Sequence, residues 1–319
     1  MRRNISIIIL ILIFILLLTG CSNQQKKTIS IAEQYGLAYA PVQIMKEKGY
    51  LKKNYPGLNT RWKKLSNTAA IRESMLAGNI DVGFMAIPPF LIGCDKGMKW
   101  KIISGLSISP LGLNTYKENI NSIDDITEED RIALPQPGSI QHILLAMACK
   151  REFADPTRFD NILVTMAHPD GMNALLSRKE ITAHFTSPPY LFAELTTDNV
   201  RQILSGKEAM GGEFTFIIGA GTEQFRNNKP QVYQAFVKSL QQSIKFINHN
   251  PQEAAAILAS KYDLTEERTL SYITWPGMQY TGKVKGLAKF ASFMQESGYI
   301  DQRYDYIKEV IWEEGLYVE

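Results

Sequence analysis

The strongest indication of the fold is the stretch Leu76-Ala77-Gly78-Asn79-Ile80-Asp81-Val82-Gly83-Phe84, which leads to Pro88-Pro89-Phe90-Leu91. A related stretch, Leu176-Ser177-Arg178-Lys179-Glu180-Ile181-Thr182-Ala183-His184-Phe185, leads to Pro188-Pro189-Tyr190-Leu191, and one small insertion aligns the two. Each reads as a short β-branched strand that runs into a helix with prolines at its start. The chain is therefore predicted to contain an internal repeat of one strand-helix design.

Strand and helix patterns alternate on both sides of these stretches. Predicted strands cover Thr28–Ala32, Thr60–Leu65, Ile80–Ala86, Arg131–Leu134, Ile162–Met166 and Ile181–Thr186, and predicted helices cover Val42–Lys48, Thr68–Ala77, Phe90 onward, Ile140–Lys150 and Gly171–Ser177. Such alternation is typical of parallel strands joined by crossover helices. From Pro230 the pattern becomes helical, with Pro230 and Pro251 as first-turn prolines. A chain of 319 residues is long enough for two lobes.

The N-terminus carries the signal of a lipoprotein. Arg2 and Arg3 precede an uncharged apolar run from Ile7 to Leu18, and Thr19-Gly20-Cys21 follows. The run is too short for a membrane-spanning helix, which needs about 20 apolar residues, and its three regions match a secretory signal. We expect residues 1–20 to be removed, Cys21 to be fatty-acylated, and residues 21–27 to act as a tether.

Charge and cysteine content exclude several classes of function. Removal of residues 1–20 takes away Arg2 and Arg3 and lowers the formal charge from +3 to +1. No one-sided basic stripe is present, so a nucleic-acid partner is not expected. Cys94 and Cys149 lie in apolar surroundings far apart in sequence, which favours buried free thiols over a disulfide.

Polar, aromatic or proline residues occupy each predicted strand-to-helix turn: Gln34-Tyr35-Gly36, Ser66-Asn67-Thr68, Pro88-Pro89-Phe90, Pro137-Gly138-Ser139 and Ser187-Pro188-Pro189-Tyr190. Open α/β sheets bind ligands at the carboxyl ends of their strands, where these turns meet. Backbone amides at the helix starts can then face one pocket. The pattern predicts a ligand cleft and does not require catalysis.

Four segments in this order resemble the solute-binding proteins of ABC importers, in the nitrate/sulfonate/taurine and thiamine-precursor group. They are Ile29-Ser30-Ile31-Ala32 with Ala40-Pro41 and Lys46-Glu47-Lys48-Gly49-Tyr50-Leu51, then Gly78-Asn79-Ile80-Asp81-Val82-Gly83 before Pro88, then Ser122-Ile123-Asp124-Asp125-Ile126, and finally Gly138-Ser139 at a helix start. With the lipoprotein signal they span the mature chain to about residue 220.

The resemblance implies an α/β fold of the two-lobed periplasmic-binding-protein type II class, in which each lobe is a mainly parallel sheet flanked by helices. Two crossing hinge strands are expected near Gly105–Asn114 and Gly212–Ala220. Lobe one would comprise residues 28–110 and 215–319, and lobe two residues 111–214. The implied ligand-binding residues are Gln34, Tyr35, Tyr39, Ser66, Asn67, Ile87, Pro88, Ser139, His142, Ser187, Tyr190 and Glu213.

The ligand class stays open between a sulfonate, taurine or nitrate-type oxyanion and a thiamine-precursor-like heterocycle. The predicted turns contain no Lys or Arg, so amide donors alone would hold an oxyanion, whereas tyrosines could stack on a ring. Trp275 is either another ligand-facing aromatic or a packing anchor. Acids at turn positions, such as Glu33, could hold an amine or lie solvated at a strand end.

The expected function is capture of a small solute on the outer face of the cell membrane and its delivery to an ABC permease with its ATPase. The protein is expected to be a lipid-anchored monomer without a cofactor, metal or catalytic residue. One alternative is an extracytoplasmic sensor that binds the same ligand. A second is a pyrimidine-synthase-like enzyme on this fold, disfavoured because the four histidines lack metal-ligand spacing.

Overall fold

The computed structural model describes residues 27–302, 309–312 and 316–317. The predicted signal segment and Cys21 lie outside these residues. Within the described residues, no helix combines the length and apolar character needed to cross a membrane.

The strands form two large sheets and one short pair. In chain order they are β1 (Thr28–Glu33), β2 (Asn59–Lys64), β3 (Val82–Ala86), β4 (Trp100–Ile108), β5 (Gly112–Thr115), β6 (Ile132–Leu134), β7 (Leu163–Thr165), β8 (Ala183–Thr186), β9 (Arg201–Ser205), β10 (Ile217–Thr222), β11 (Gln279–Tyr280), β12 (Lys283–Val284) and β13 (Leu316–Tyr317). The first sheet has the order β2-β1-β3-β10-β4-β11 and the second the order β7-β6-β8-β5-β9. Strands β12 and β13 pair in parallel.

Both sheets share one pairing pattern. In the first, β1 pairs in parallel with β2 and β3, and β10 is antiparallel to β3 and β4. In the second, β6 pairs in parallel with β7 and β8, and β5 is antiparallel to β8 and β9. The sheets are therefore mixed, and β10 and β5 are reversed strands at equivalent places in the two sheets. The edge strand β11 of the first sheet is also antiparallel to its neighbour β4. The repeat predicted from sequence matches this shared strand order.

Strands β5 and β10 are each the first strand that the chain forms after it crosses from one sheet to the other. The chain leaves β4 at Ile108 and enters β5 at Gly112, and it returns between the helix that ends at Met210 and β10 at Ile217. The chain thus passes from one sheet to the other after Ile108 and returns after Met210, and the predicted two-lobed α/β fold class is confirmed.

Helices cover both faces of the sheets. They are α1 (Ala40–Glu47), α2 (Tyr50–Asn54), α3 (Thr68–Leu76), α4 (Ile87–Asp95), α5 (Ile140–Phe153), α6 (His168–Leu176), α7 (Tyr190–Leu195), α8 (Gly206–Met210), α9 (Glu223–Asn228), α10 (Pro230–His249), α11 (Pro251–Tyr262), α12 (Glu266–Ile273) and α13 (Leu287–Glu296). Pro230 and Pro251 begin α10 and α11, as predicted, because proline fixes φ for a first turn and needs no amide partner there.

The core of the first sheet is closed by α10, whose apolar face carries Phe236 and Leu240, both fully buried. The rings of Phe236 and Phe84 of β3 have centroids 6.2 Å apart. Both remaining cysteines are free thiols; Cys149 is buried and Cys94 is half-buried. Burial raises the pKa of each thiol to about 12, so both act as packing groups rather than nucleophiles.

Candidate functional site

A cavity of about 180 Å³ lies between the two sheets. Seven of the predicted site residues line it: Gln34, Tyr35, Tyr39, Ser66, Asn67, Ser139 and Ser187. Gln34, Tyr35, Tyr39, Ser66 and Asn67 follow strands of the first sheet, whereas Ser139 and Ser187 follow strands of the second. The volume is below the ≈ 300–1,000 Å³ range of pockets for drug-sized ligands, so the cavity suits a small solute.

Five helices begin at the wall of this cavity. One of them, α1 with N-cap Tyr39, continues from a 3₁₀ turn in which the Ala40 amide donates to the Leu37 carbonyl. The other four each start a new helical segment. Their N-cap residues are Asn67 of α3, Ala86 of α4, Ser139 of α5 and Ala167 of α6, and all four line the cavity. A helix N-terminus carries a partial positive charge and unpaired backbone amides, so it attracts anions. Two of these four helices follow strands of the first sheet and two follow strands of the second, which places positive helix ends on both sides of the cavity.

Only two of these helix ends are capped by their own side chains. Asn67 Oδ1 accepts from the Ala70 amide at 3.0 Å, and Ser139 Oγ accepts from the His142 amide at 3.3 Å. Ala86 and Ala167 have no side chain that can cap α4 or α6. Pro88 and Pro89 in α4 and Pro169 in α6 have no amide hydrogen. The donors left in these uncapped first turns, one from each sheet, are the amides of Ile87, His168 and Asp170.

The described residues that line the cavity include no Lys, Arg, Asp or Glu. The one titratable imidazole on the wall is His168, and burial together with neighbouring His184 lowers its pKa to about 3. His168 is therefore neutral at physiological pH. The described wall therefore offers a solute helix ends and neutral donors, and the charged side chains nearest to it, such as Lys64, lie behind the lining residues.

The first-sheet wall is held by short contacts. Gln34 Nε2 donates to Thr68 Oγ1 at 3.1 Å and to the Phe84 carbonyl at 3.4 Å. The Lys64 ammonium lies 4.3 Å from the centroid of the Tyr35 ring, a cation–π contact. These contacts fix the two side chains before any solute enters.

Five predicted site residues lie elsewhere. Ile87 and Pro88 are buried in the first turn of α4, outside the cavity lining. His142 turns away from it, with Nδ1 accepting from the Gly138 amide at 2.9 Å and Nε2 3.1 Å from Asp160 Oδ1. Tyr190 stacks on His168 at a centroid distance of 5.8 Å and sits behind the wall. Glu213 pairs with Lys285 at 2.8 Å in a separate surface depression.

Sequence reasoning missed other lining residues, of which Thr68, Gln136, Gln141, Thr165 and His168 carry polar side chains. Thr165 and His168 flank the β7-to-α6 turn, which is the second-sheet equivalent of the β2-to-α3 turn with Ser66 and Asn67. Extending the internal repeat to this turn would have found them.

The two halves touch directly beside the cavity. The Leu37 amide of the first half donates to the Pro188 carbonyl of the second at 3.2 Å. Phe192 of α7 stacks on Trp275, which follows α12, with ring centroids 4.4 Å apart. Trp275 is thus a packing partner of the opposite half, which was one of its two expected roles.

Glu33, at the end of β1, is a buried acid and only 6% exposed. Gln43 Nε2 donates to its Oε1, and its Oε2 is buried without a hydrogen-bond partner among the described residues. Burial raises the pKa of this carboxyl to about 7, although Lys64 and Lys46 oppose the shift. The solvated alternative for Glu33 is therefore wrong, and Glu33 does not line the cavity.

A pH-dependent stability is expected from Glu33. The folded protein holds its proton more tightly than the unfolded chain, so the free energy of unfolding falls as pH rises from about 4.5 to about 7 and then levels. The loss is on the order of 3 kcal/mol. We expect Glu33→Gln to remove this slope and to be more stable than wild type at pH 8. Urea unfolding at pH 5 and pH 8 measures it, and an unchanged slope in the variant would contradict the assignment.

The two sheets, with a cavity between them, form the two-lobed fold of the periplasmic-binding-protein class. The model of the NMT1-like family matches residues 22–261, and the chain belongs to this family. A sequence search of curated proteins finds no significant match.

Solved structures of similar shape have low sequence identity to this chain. The alkanesulfonate-binding protein SsuA from Xanthomonas axonopodis pv. citri bound to MOPS superposes with a TM-score of 0.74 at 18% sequence identity. The superposition covers 90% of this chain and 98% of the SsuA chain. The periplasmic nitrate-binding protein NrtA from Synechocystis PCC 6803 gives a TM-score of 0.73 at 13% identity, with coverage of 90% and 86%. At these identities the likeness shows the fold.

Proposed function

We propose that this protein is the extracytoplasmic solute-binding component of an ABC importer and that it captures a small organic oxyanion of the sulfonate type. One observation carries the ligand class: the N-termini of α3, α4, α5 and α6 meet at a cavity whose described lining has no charged side chain. A fixed anion is stabilised there by oriented amides. A solute cation would find no carboxylate partner on that lining.

The proposed lobes are residues 28–110 with 215–319, and residues 111–214. Solute contacts both lobes only when they are closed, so its differential affinity shifts the population toward the closed form. A permease would then recognise that form. The direct Leu37–Pro188 hydrogen bond supports this proposal, because it joins the lobes beside the cavity. No bond in the solute is made or broken.

The remaining parts of the proposal concern the cell surface. Cys21 would carry the fatty-acyl anchor, with the polar tether Ser22-Asn23-Gln24-Gln25-Lys26-Lys27 between lipid and fold. The partners would be a permease and its ATPase, and the protein would act as a monomer on the outer face of the cell membrane. Globomycin, which blocks lipoprotein signal cleavage, should cause the precursor to accumulate.

Calorimetric titration of residues 22–319 tests the ligand class. We expect propanesulfonate to bind one per chain, and at 100 times its dissociation constant it should stabilise the fold by about 2.7 kcal/mol. Taurine and nitrate, tested beside it, show whether an added ammonium group or the loss of the organic part weakens binding. Trp275 should report closure, because its stack on Phe192 breaks when the lobes separate; Trp275→Phe is the control for that signal. Saturable binding of an uncharged pyrimidine, with no binding of any anion, would contradict the proposed class.

A further inference from the structure

A chain of buried polar side chains runs from the core of the second sheet to the cavity. Asn114 Nδ2 donates to Glu194 Oε2 at 2.8 Å, and His184 Nδ1 lies 2.6 Å from Glu194 Oε1. His184 Nε2 is 3.4 Å from His168 Nδ1, and His168 Nε2 is 3.2 Å from the Gln141 side-chain nitrogen. Asn114, His184 and Glu194 have no exposed surface, whereas His168 and Gln141 line the cavity.

The charges of Glu194 and His184 can be inferred from their burial and their hydrogen-bond partners. Glu194 accepts at one oxygen from Asn114 and has the His184 ring at the other, which fits an ionised carboxylate. A fully buried carboxylate needs a positive partner, and among the side chains in contact with it His184 is the one that can supply the charge. A protonated His184 has N–H groups on both ring nitrogens. One donates to Glu194 and the other points at His168 Nδ1.

His168 is then fixed in one tautomer. Its Nδ1 accepts, from His184 or from the Thr186 hydroxyl at 3.2 Å, so the remaining ring proton is on Nε2 at the cavity wall. The Gln141 amide beside it can turn by 180° to present oxygen or nitrogen. Its oxygen accepts from His168 in the empty cavity, and its nitrogen can join His168 as a second donor to a solute.

Backbone geometry brings His168 close to the proposed anion site. His168 is the first residue of α6, the helix of the second sheet whose N-terminus has no side-chain cap. Stacking of Tyr190 on the ring, with 27° between the planes, restrains its orientation. Gly171, one turn further on, leaves room for His184, since a Cβ there would lie 2.5 Å from His184 Nε2.

We propose that His168 is a ligand-contact residue that donates its Nε2–H to an oxygen of the bound oxyanion, and that Glu194 and His184 are positioning residues that hold this tautomer. The inference rests on the proposed function, and it adds a specificity determinant. A solute must present a hydrogen-bond acceptor at that point of the cavity, because the wall offers a proton there.

Two measurements on residues 22–319 test this. Nitrogen-15 NMR of the ligand-free protein should show the His168 ring proton on Nε2, and in Glu194→Gln, which removes the buried charge, the proton should move to Nδ1. Titration with propanesulfonate should show a dissociation constant about 10- to 100-fold higher in His168→Leu, the loss expected for a hydrogen bond to a charged group. His168→Gln, which keeps an N–H donor at the Nε2 position, should recover most of that loss.

His142→Asn is the matched control, because His142 is a buried histidine of the same half whose ring contacts Gly138 and Asp160 outside the cavity. Asparagine keeps the acceptor for the Gly138 amide, so propanesulfonate affinity should be unchanged. Equal affinity in wild type and His168→Leu overturns the ligand contact, and an Nδ1–H tautomer in the wild type overturns the positioning role. A wild type that binds no anionic probe overturns the proposed function and the contact together, while the tautomer is still decided by NMR.

Discussion

Gly36→Val is expected to raise the dissociation constant for solute by about 5- to 150-fold, because it places a side chain between the closed lobes. Gly36 has φ of 120° and precedes the Leu37 amide that donates to the Pro188 carbonyl. A Cβ at Gly36 would lie 3.1 Å from that carbonyl oxygen, and valine adds two further carbons. Overpacking costs about 1–3 kcal/mol, which converts to that range of affinity because the contact exists only in the closed form.

Gly57→Val separates this effect from backbone strain. Gly57 also has positive φ, at 80°, but a Cβ there would meet nothing within 4 Å. Both variants should lose stability, since non-glycine residues are disfavoured at such angles, and only Gly36→Val should lose affinity. Titration and thermal unfolding of both proteins measure the two effects. Equal affinity losses in the two variants would mean that the contact with Pro188 does not limit closure.

Glu194→Ala is expected to lower the free energy of unfolding by about 3–5 kcal/mol, the cost of removing one partner from a buried ion pair. His184 and Asn114 would lose the acceptor that lies 2.6 Å and 2.8 Å away. They form a cross-strand pair between β8 and β5, so the second sheet should weaken at its centre. Urea unfolding followed by circular dichroism measures the change.

Glu253→Ala provides the comparison for an exposed pair. Glu253 contacts Lys48 at 2.8 Å, but its side chain is 57% exposed, and such pairs contribute about 0–1 kcal/mol. A similarly small change in the free energy of unfolding of Glu194→Ala would indicate that Glu194 and His184 do not form an ion pair. That result would also remove the reason for the His168 tautomer.

Local sequence patterns predicted the elements well. Strand β1 was expected at Thr28–Ala32 and covers Thr28–Glu33, and α5 was expected at Ile140–Lys150 and covers Ile140–Phe153. These features depend on residues close together in the chain, such as first-turn prolines and β-branched runs. The predicted strand-to-helix turns contain six of the seven predicted site residues that line the cavity, and Tyr39 lies beyond them.

The rotation of each helix about its axis could not be predicted. At the start of α5, Ser139 and Gln141 line the cavity, whereas His142 does not. Successive helical residues are rotated by about 100°, so one position decides whether a side chain faces solute or protein. That rotation is set by packing against distant residues, such as Tyr299, whose ring meets His142 edge-on at 5.5 Å.

Contacts between residues far apart in the sequence could not be predicted either. Glu213 was expected near solute, but its partner Lys285 is separated from it by a long stretch of helices. His168, His184 and Glu194 show no metal-ligand or catalytic spacing in sequence, and they meet only because β8 lies between α6 and α7. Local sequence patterns therefore carry no signal for hydrogen bonds among these three side chains.

A crystal structure with 2-bromoethanesulfonate would show whether an oxyanion binds between the two sheets, because the anomalous signal of bromine locates the solute independently of the protein coordinates. We predict one solute per chain in the cavity between the sheets, with its sulfonate oxygens within hydrogen-bond distance of the Ile87 amide of α4 and the His168 and Asp170 amides of α6. An empty cavity at saturating solute, or a bromine peak at any other surface alone, would contradict the account.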